Sequence, residues 1–167
     1  MAYTEKHRQG RDFHQVTLMR IRAILAACVI LLLWNWNVCS AELPVAGIVK
    51  SVNGRAVISR NGQSLEAADG MKILRGDIIQ TSEKASIGLI FDDDTVVSMG
   101  PNSEMAIDEY NFVPIEGRLS FVVKFIHGTL TYISGQISKL SPQSVRLETP
   151  VATIGVRGTQ VFIKLGG

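Results

Sequence analysis

Residues 85–99 read Ala-Ser-Ile-Gly-Leu-Ile-Phe-Asp-Asp-Asp-Thr-Val-Val-Ser-Met. Ile87, Leu89 and Phe91 alternate with other residues, so they project from one face of a strand, whose side-chain period is two. Asp92-Asp93-Asp94 then interrupts the apolar run, and Thr95–Met99 resumes it. Two short strands joined by a polar turn are the expected outcome.

The same grammar extends in both directions. Leu119, Phe121, Val123 and Phe125 alternate on one face of a further strand, and Val161, Ile163 and Leu165 on another. From Glu42 onward, 34 of 126 residues are the β-branched Val, Ile and Thr, against 16 Leu and Ala together, which favours strands over helices. Fourteen glycines and five prolines punctuate the same stretch, leaving no clear run for an amphipathic helix of three turns. Asn53-Gly54 between 47–52 and 55–60 has the chemistry of a tight hairpin, a signal repeated at Asn61-Gly62 and Asp69-Gly70. Gly100-Pro101-Asn102 and His127-Gly128 are read as further breaks, and 135–142 as the place for one helical turn. The expected fold is all-β: a single domain of about ten to twelve short strands, arranged as a solenoid-like or two-sheet β-roll.

The N-terminal 41 residues have a different character. Ala23–Trp34 is uninterruptedly apolar, preceded by Arg20 and Arg22 and closely followed by Asn35 and Asn37. As a helix it spans roughly 18 Å, well short of the ~30 Å hydrocarbon core. Cys39 and Ala41 stand at the −3 and −1 positions of a cut after Ala41. The expected organisation is a signal peptide over 1–41, with Met19 as an alternative start and retention as a tilted anchor as an alternative fate, followed by a β domain over 42–167. That assigns the chain to a bacterial periplasm or beyond, touching a membrane only through an uncleaved leader.

Composition narrows the chemistry. Both cysteines, both tryptophans and two of three histidines precede residue 42, leaving His127 alone in the domain. A cysteine nucleophile, a disulfide framework and a Cys/His zinc site are thereby excluded from it. The domain carries 12 Lys and Arg against 13 Asp and Glu without a basic cluster, so nucleic acid is not an expected partner. No Gly-x-Ser-x-Gly occurs, and His127 beside Gly128 reads as a turn residue. Asp92-Asp93-Asp94 with Asp108 and Glu109 could in principle ligate calcium, but the ligand spacing and glycine of a calcium loop are missing, and a solvated turn is the simpler reading. No catalytic residue, cofactor or metal is assigned.

Two segments carry more. In Leu74-x-Gly76-Asp77-x-Ile79-x-Thr81 the aspartate is placed to bond nearby backbone amides before a buried strand. In the closing run Thr149-Pro150-Val151-Ala152-Thr153-Ile154-Gly155-Val156-Arg157-Gly158-Thr159, the lone Arg157 is expected to pair internally with a carboxylate such as Asp77 or Asp108, and Gly158 to mark a turn or bulge.

With Gly47-x-Val49, Gly54-x-Ala56, Gly70, Phe91-Asp92-Asp93-Asp94-Thr95 and Gly100-Pro101-Asn102-Ser103 in order between them, these segments make the chain resemble the FecR domain family over nearly all of 46–165. Gly76, Asp77, Thr81, Pro150, Gly155, Arg157, Gly158 and Thr159 are the positions that match its motifs, in structural or interaction roles. The resemblance implies an extracytoplasmic β-rich module. In the family's best-known members a cytoplasmic sigma-regulating segment precedes one membrane span, and the periplasmic domain receives a signal from an outer-membrane transporter. Here at most 22 residues precede the apolar run, so the chain is more similar to the stand-alone exported members. The expected function is a non-enzymatic interaction or signal-sensing module whose partner is a cell-envelope protein. The alternative is a structural or adhesive surface β-module that self-associates or binds glycan.

Overall fold

A computed structural model describes residues 44–156 and 160–166. The chain divides into two compact units, 1–41 and 42–167, of which the first, with the expected signal peptide, lies outside the described residues. Among the described residues no helix is long and apolar enough to cross a membrane.

The second unit is all-β, as its alternation and turn chemistry predict. Twelve strands are present among the described residues: β1 Val45–Asn53, β2 Ala56–Arg60, β3 Gln63–Glu66, β4 Lys72–Leu74, β5 Ile78–Thr81, β6 Ser86–Phe91, β7 Val96–Met99, β8 Glu104–Val113, β9 Arg118–Ile133, β10 Val145–Glu148, β11 Thr153–Gly155 and β12 Gln160–Leu165. One short helix, α1 Gln136–Leu140, fills the place left for a helical turn.

The strands form one curled sheet along the path β3-β2-β5-β8-β9-β7-β6-β1-β4, with β10, β11 and β12 attached around β9. Pairing is antiparallel except between β10 and β9, which run parallel. The path curls into a half-barrel whose two halves meet at the bends described below, the form expected for a β-roll. Inward-facing Ile58, Ile79, Leu89, Phe91, Ile107, Phe121, Phe125 and Tyr132 fill the space between the halves. Phe121 sits at the centre of an aromatic group, with ring centroids 4.8 Å from Phe91, 5.6 Å from Tyr132 and 6.1 Å from Tyr110.

Two expected breaks turn out differently, and both create the curl. Asn53-Gly54 is a corner and not a hairpin: β1 pairs with β4 and β6, whereas β2 pairs with β3 and β5. The two-residue hairpin is the next Asn-Gly, where Asn61 (φ 51°) and Gly62 (φ 78°) join β2 to β3. His127-Gly128 does not end a strand either. β9 runs through it for 16 residues, pairing with β8 and β10 before Gly128 and with β7 and β12 from there on. The ladder slips at Glu104/Met105, a β-bulge beside this point. Gly128 takes φ 101°, and a Cβ there would run into Ser103 Oγ, so the bend needs glycine.

Candidate interaction surface

Of the motif positions, Asp77 and Thr81 face inward. Gly76, at φ 89°, turns the chain from β4 into β5 and donates its N–H to Ile107 O at 2.8 Å. Asp77 is fully buried and accepts from Leu74 N at 2.8 Å, the backbone role read from sequence. Its stronger partner is Arg60, the next cross-strand position beyond Ser59 and Ile78, whose Nε and Nη2 donate to the two carboxylate oxygens at 2.8 and 2.7 Å. This hydrogen bond and the negative charge hold the Arg60 guanidinium above its ordinary pKa. Arg60 Nη2 also donates to Lys72 O, tying β2 to β4, two strands that do not pair. The carboxylates expected to hold Arg157 therefore have other cations: Asp77 has Arg60, and Asp108 has Lys124 at 2.5 Å. Pairing is local because Arg60 and Lys124 sit on neighbouring strands of those acids. Arg157, Gly158 and Thr159 themselves lie outside the described residues.

Thr81, also buried, ends β5 by clasping the segment after β7. Its hydroxyl donates to Gly100 O at 2.6 Å and accepts from Ser103 N at 2.9 Å. Ser103 Oγ in turn accepts from Thr129 N at 3.0 Å, next to the bend in β9.

The aspartate run corrects the solvated-turn reading. Asp92 and Asp94 are exposed, but Asp93 between them is fully buried. Its carboxylate accepts from Thr95 Oγ1 at 2.8 Å, Ile137 N at 3.2 Å, Thr95 N at 3.3 Å and Tyr110 Oη at 3.5 Å. Its backbone N–H donates to Tyr110 Oη and its carbonyl accepts from Gln136 N, so the turn also anchors α1. Burial first, then the neighbouring Asp93 charge, pushes the Tyr110 phenol far up. Tyr132 is pushed up to about 12, mainly by burial, and its hydroxyl lies beside Thr95 and Ser138 without a hydrogen bond of good geometry. The signal was in the sequence: the period-two alternation of Ile87, Leu89 and Phe91, continued past the strand end, places Asp93 inward and Asp92 and Asp94 outward. No group of metal-ligating side chains occurs among the described residues. His127 sits within β9, paired across to Glu104.

The closing run is where the fold turns outward. Thr149 N donates to Ala152 O at 2.8 Å, closing the β10–β11 hairpin around Pro150 and Val151, the latter fully exposed at its tip. Among the described residues β11 pairs only with β10. Antiparallel alternation from the Thr149–Ala152 bond directs the backbone groups of Thr153 and Gly155 to the open edge. Gly155 has open space where a Cβ would stand and no positive φ, so no backbone demand explains it. Opposite it lies Arg146, exposed and without an ion pair among the described residues. Together with Pro142, Gln143 and Thr153 they line a shallow groove. Arg146 was not singled out by sequence reading, although the alternation of buried Val145 and Leu147 around it marks it as outward-facing.

A family model described as FecR protein matches residues 77–167. No curated protein and no solved structure matches the chain.

Proposed function

This chain belongs to the FecR protein family, and from that premise we propose that residues 42–167 form a non-enzymatic, extracytoplasmic protein-interaction module that senses or relays a signal in the cell envelope, exported on the 1–41 leader. The observation that carries this reading is the division of labour between the two motif segments. Asp77, Thr81 and Asp93 spend their polar atoms on the fold, whereas among the described residues the β10–β11 hairpin offers an open strand edge, an exposed Val151 and an Arg146 without an ion pair. An open edge supplies backbone hydrogen bonds to an extended segment of another protein, and an adjacent arginine supplies selectivity for a carboxylate on it.

The test is affinity capture from envelope extracts with tagged 42–167 and with its Arg146→Glu variant. One stoichiometric protein held by the wild type and lost from the variant supports the proposal. Equal capture by both would remove the hairpin as the docking site, and retention on cell-wall glycan with no protein would replace the sensing role with a structural one.

A further inference from the structure

Four strands have a single neighbour among the described residues: β3, β4, β11 and β12. Open edges invite pairing with other chains, and soluble proteins blunt them. β3 is four residues long, three of them exposed and polar. β4 has its free groups taken, since Lys72 O accepts from Arg60 and Leu74 N donates to Asp77. β11 is three residues long and ends in glycine. β12 has none of these protections. It is six residues long without proline, glycine or bulge, and it carries one charge, Lys164. At its outer face stands Phe162, 66% exposed.

We infer that β12 is a homodimer interface at which a second copy of this chain adds its own β12 antiparallel across a two-fold axis at Phe162. Directly opposed residues in an antiparallel pair share a face, so a two-fold axis must set one residue against its own copy. Centred on Phe162, the two exposed rings meet on the outer face, Gln160 opposes the partner copy's lysine at position 164, and Val161 opposes isoleucine 163 on the inner face. No like charges face each other. Aromatic pairs at directly opposed positions are among the most favourable cross-strand contacts. The pairing closes after two copies because it consumes both edges, so it yields a dimer and not a fibre. It leaves the β10–β11 hairpin outside the pairing and holds whether or not that hairpin binds an envelope protein.

The 42–167 unit is suited to the test because it is a compact unit by itself, holds every core residue among the described ones and has no cysteine. Sedimentation should show a concentration-dependent monomer–dimer equilibrium, and Phe162→Arg, which sets two cations face to face, should raise the dimer dissociation constant at least about tenfold, equivalent to roughly 1.4 kcal/mol, with an unchanged melting temperature at dilutions where both proteins are monomeric. Under mild oxidation Phe162→Cys should form a disulfide-linked dimer, because opposed Cα atoms lie about 4.5–5.5 Å apart, within disulfide range. Lys164→Cys, four positions from its own copy, should not. A wild type that stays monomeric at all concentrations, a dimer unaffected by Phe162→Arg, open-ended polymers, or preferential cross-linking through position 164 would each overturn the proposal.

Discussion

Arg60 grips Asp77 with both ends of the guanidinium fork while the same side chain reaches the carbonyl of Lys72, so one ion pair joins β2, β4 and the start of β5. The aspartate is completely buried and the arginine is 21% exposed, which makes the pair asymmetric. Loss of the cation strands a charge in the interior; loss of the acid frees a cation that can still reach water.

Arg60→Ala is accordingly expected to destabilise the 42–167 unit by about 3–5 kcal/mol, the range for breaking a buried pair. Asp77→Ala should cost less than Arg60→Ala, despite also losing the bond to Leu74 N. Urea denaturation of both variants and of the Arg60→Met/Asp77→Leu pair checks this, the double variant recovering much of the loss.

Asp93 answers four donors, from its own turn, β8 and α1, without a cation among the described residues. Asp93→Ala leaves Thr95, Tyr110 and the first turn of α1 unsatisfied, for an expected loss of roughly 3 kcal/mol. Hydrogen exchange should show protection falling first over 135–140.

The two buried tyrosines differ in a way that substitution separates. Tyr110→Phe removes the acceptor for Asp93 N and should cost about 1–2 kcal/mol. Tyr132→Phe removes a buried hydroxyl that has no good hydrogen bond, and should be neutral or stabilising by up to about 1 kcal/mol. Thermal melts of the two variants, side by side, make the comparison.

Both phenols are raised in the folded state, Tyr132 to about 12 from an ordinary 10. Between those values the unfolded chain has released a proton that the folded chain keeps, so stability must fall as pH rises. The contribution is complete below pH 10 and is lost through about 12. Chemical denaturation across that window should show the decline, and Tyr132→Phe should make it shallower. Phenolate absorbance of the native domain should lag behind that of the unfolded chain.

Glycines divide by geometry. Gly128→Ala puts a Cβ into Ser103 at a positive φ and should destabilise by about 1–3 kcal/mol or more. Gly155→Ala meets open space at an ordinary φ and should leave the melting temperature nearly unchanged. A large loss at Gly155 would mean that the hairpin edge is covered in the native protein.

Strand identity was legible because Ile87, Leu89 and Phe91, or Phe121, Val123 and Phe125, report their faces through local alternation. What partners each strand finds was not. Asn53-Gly54 and Asn61-Gly62 are the same dipeptide, yet one is a corner and the other a hairpin, because the outcome depends on where β4 and β6 lie and not on the turn itself. The partners of the inward aspartates are illegible for a related reason. Asp77 and Asp93 are buried at the cost of desolvation, and the groups that compensate them, Arg60, Tyr110 and Ile137 N, are 17 to 44 residues away. Arg146, by contrast, could have been found from the buried residues flanking it.

The passage of β9 from one half of the sheet to the other also has a consequence in time. Neither half can be completed until this strand is made and bent, because it supplies the central neighbour of β8 and β10 on one side and of β7 and β12 on the other. Pairings such as Val96 with Ile133 and Glu104 with His127 close long loops before they are rewarded. Folding should therefore be slow for a chain of this size, with a transition state that waits on the bend at Gly128. Gly128→Ala would then slow refolding more than it speeds unfolding, and a chain still being delivered from its N-terminus would hold β1–β8 without a finished core until the last third arrives.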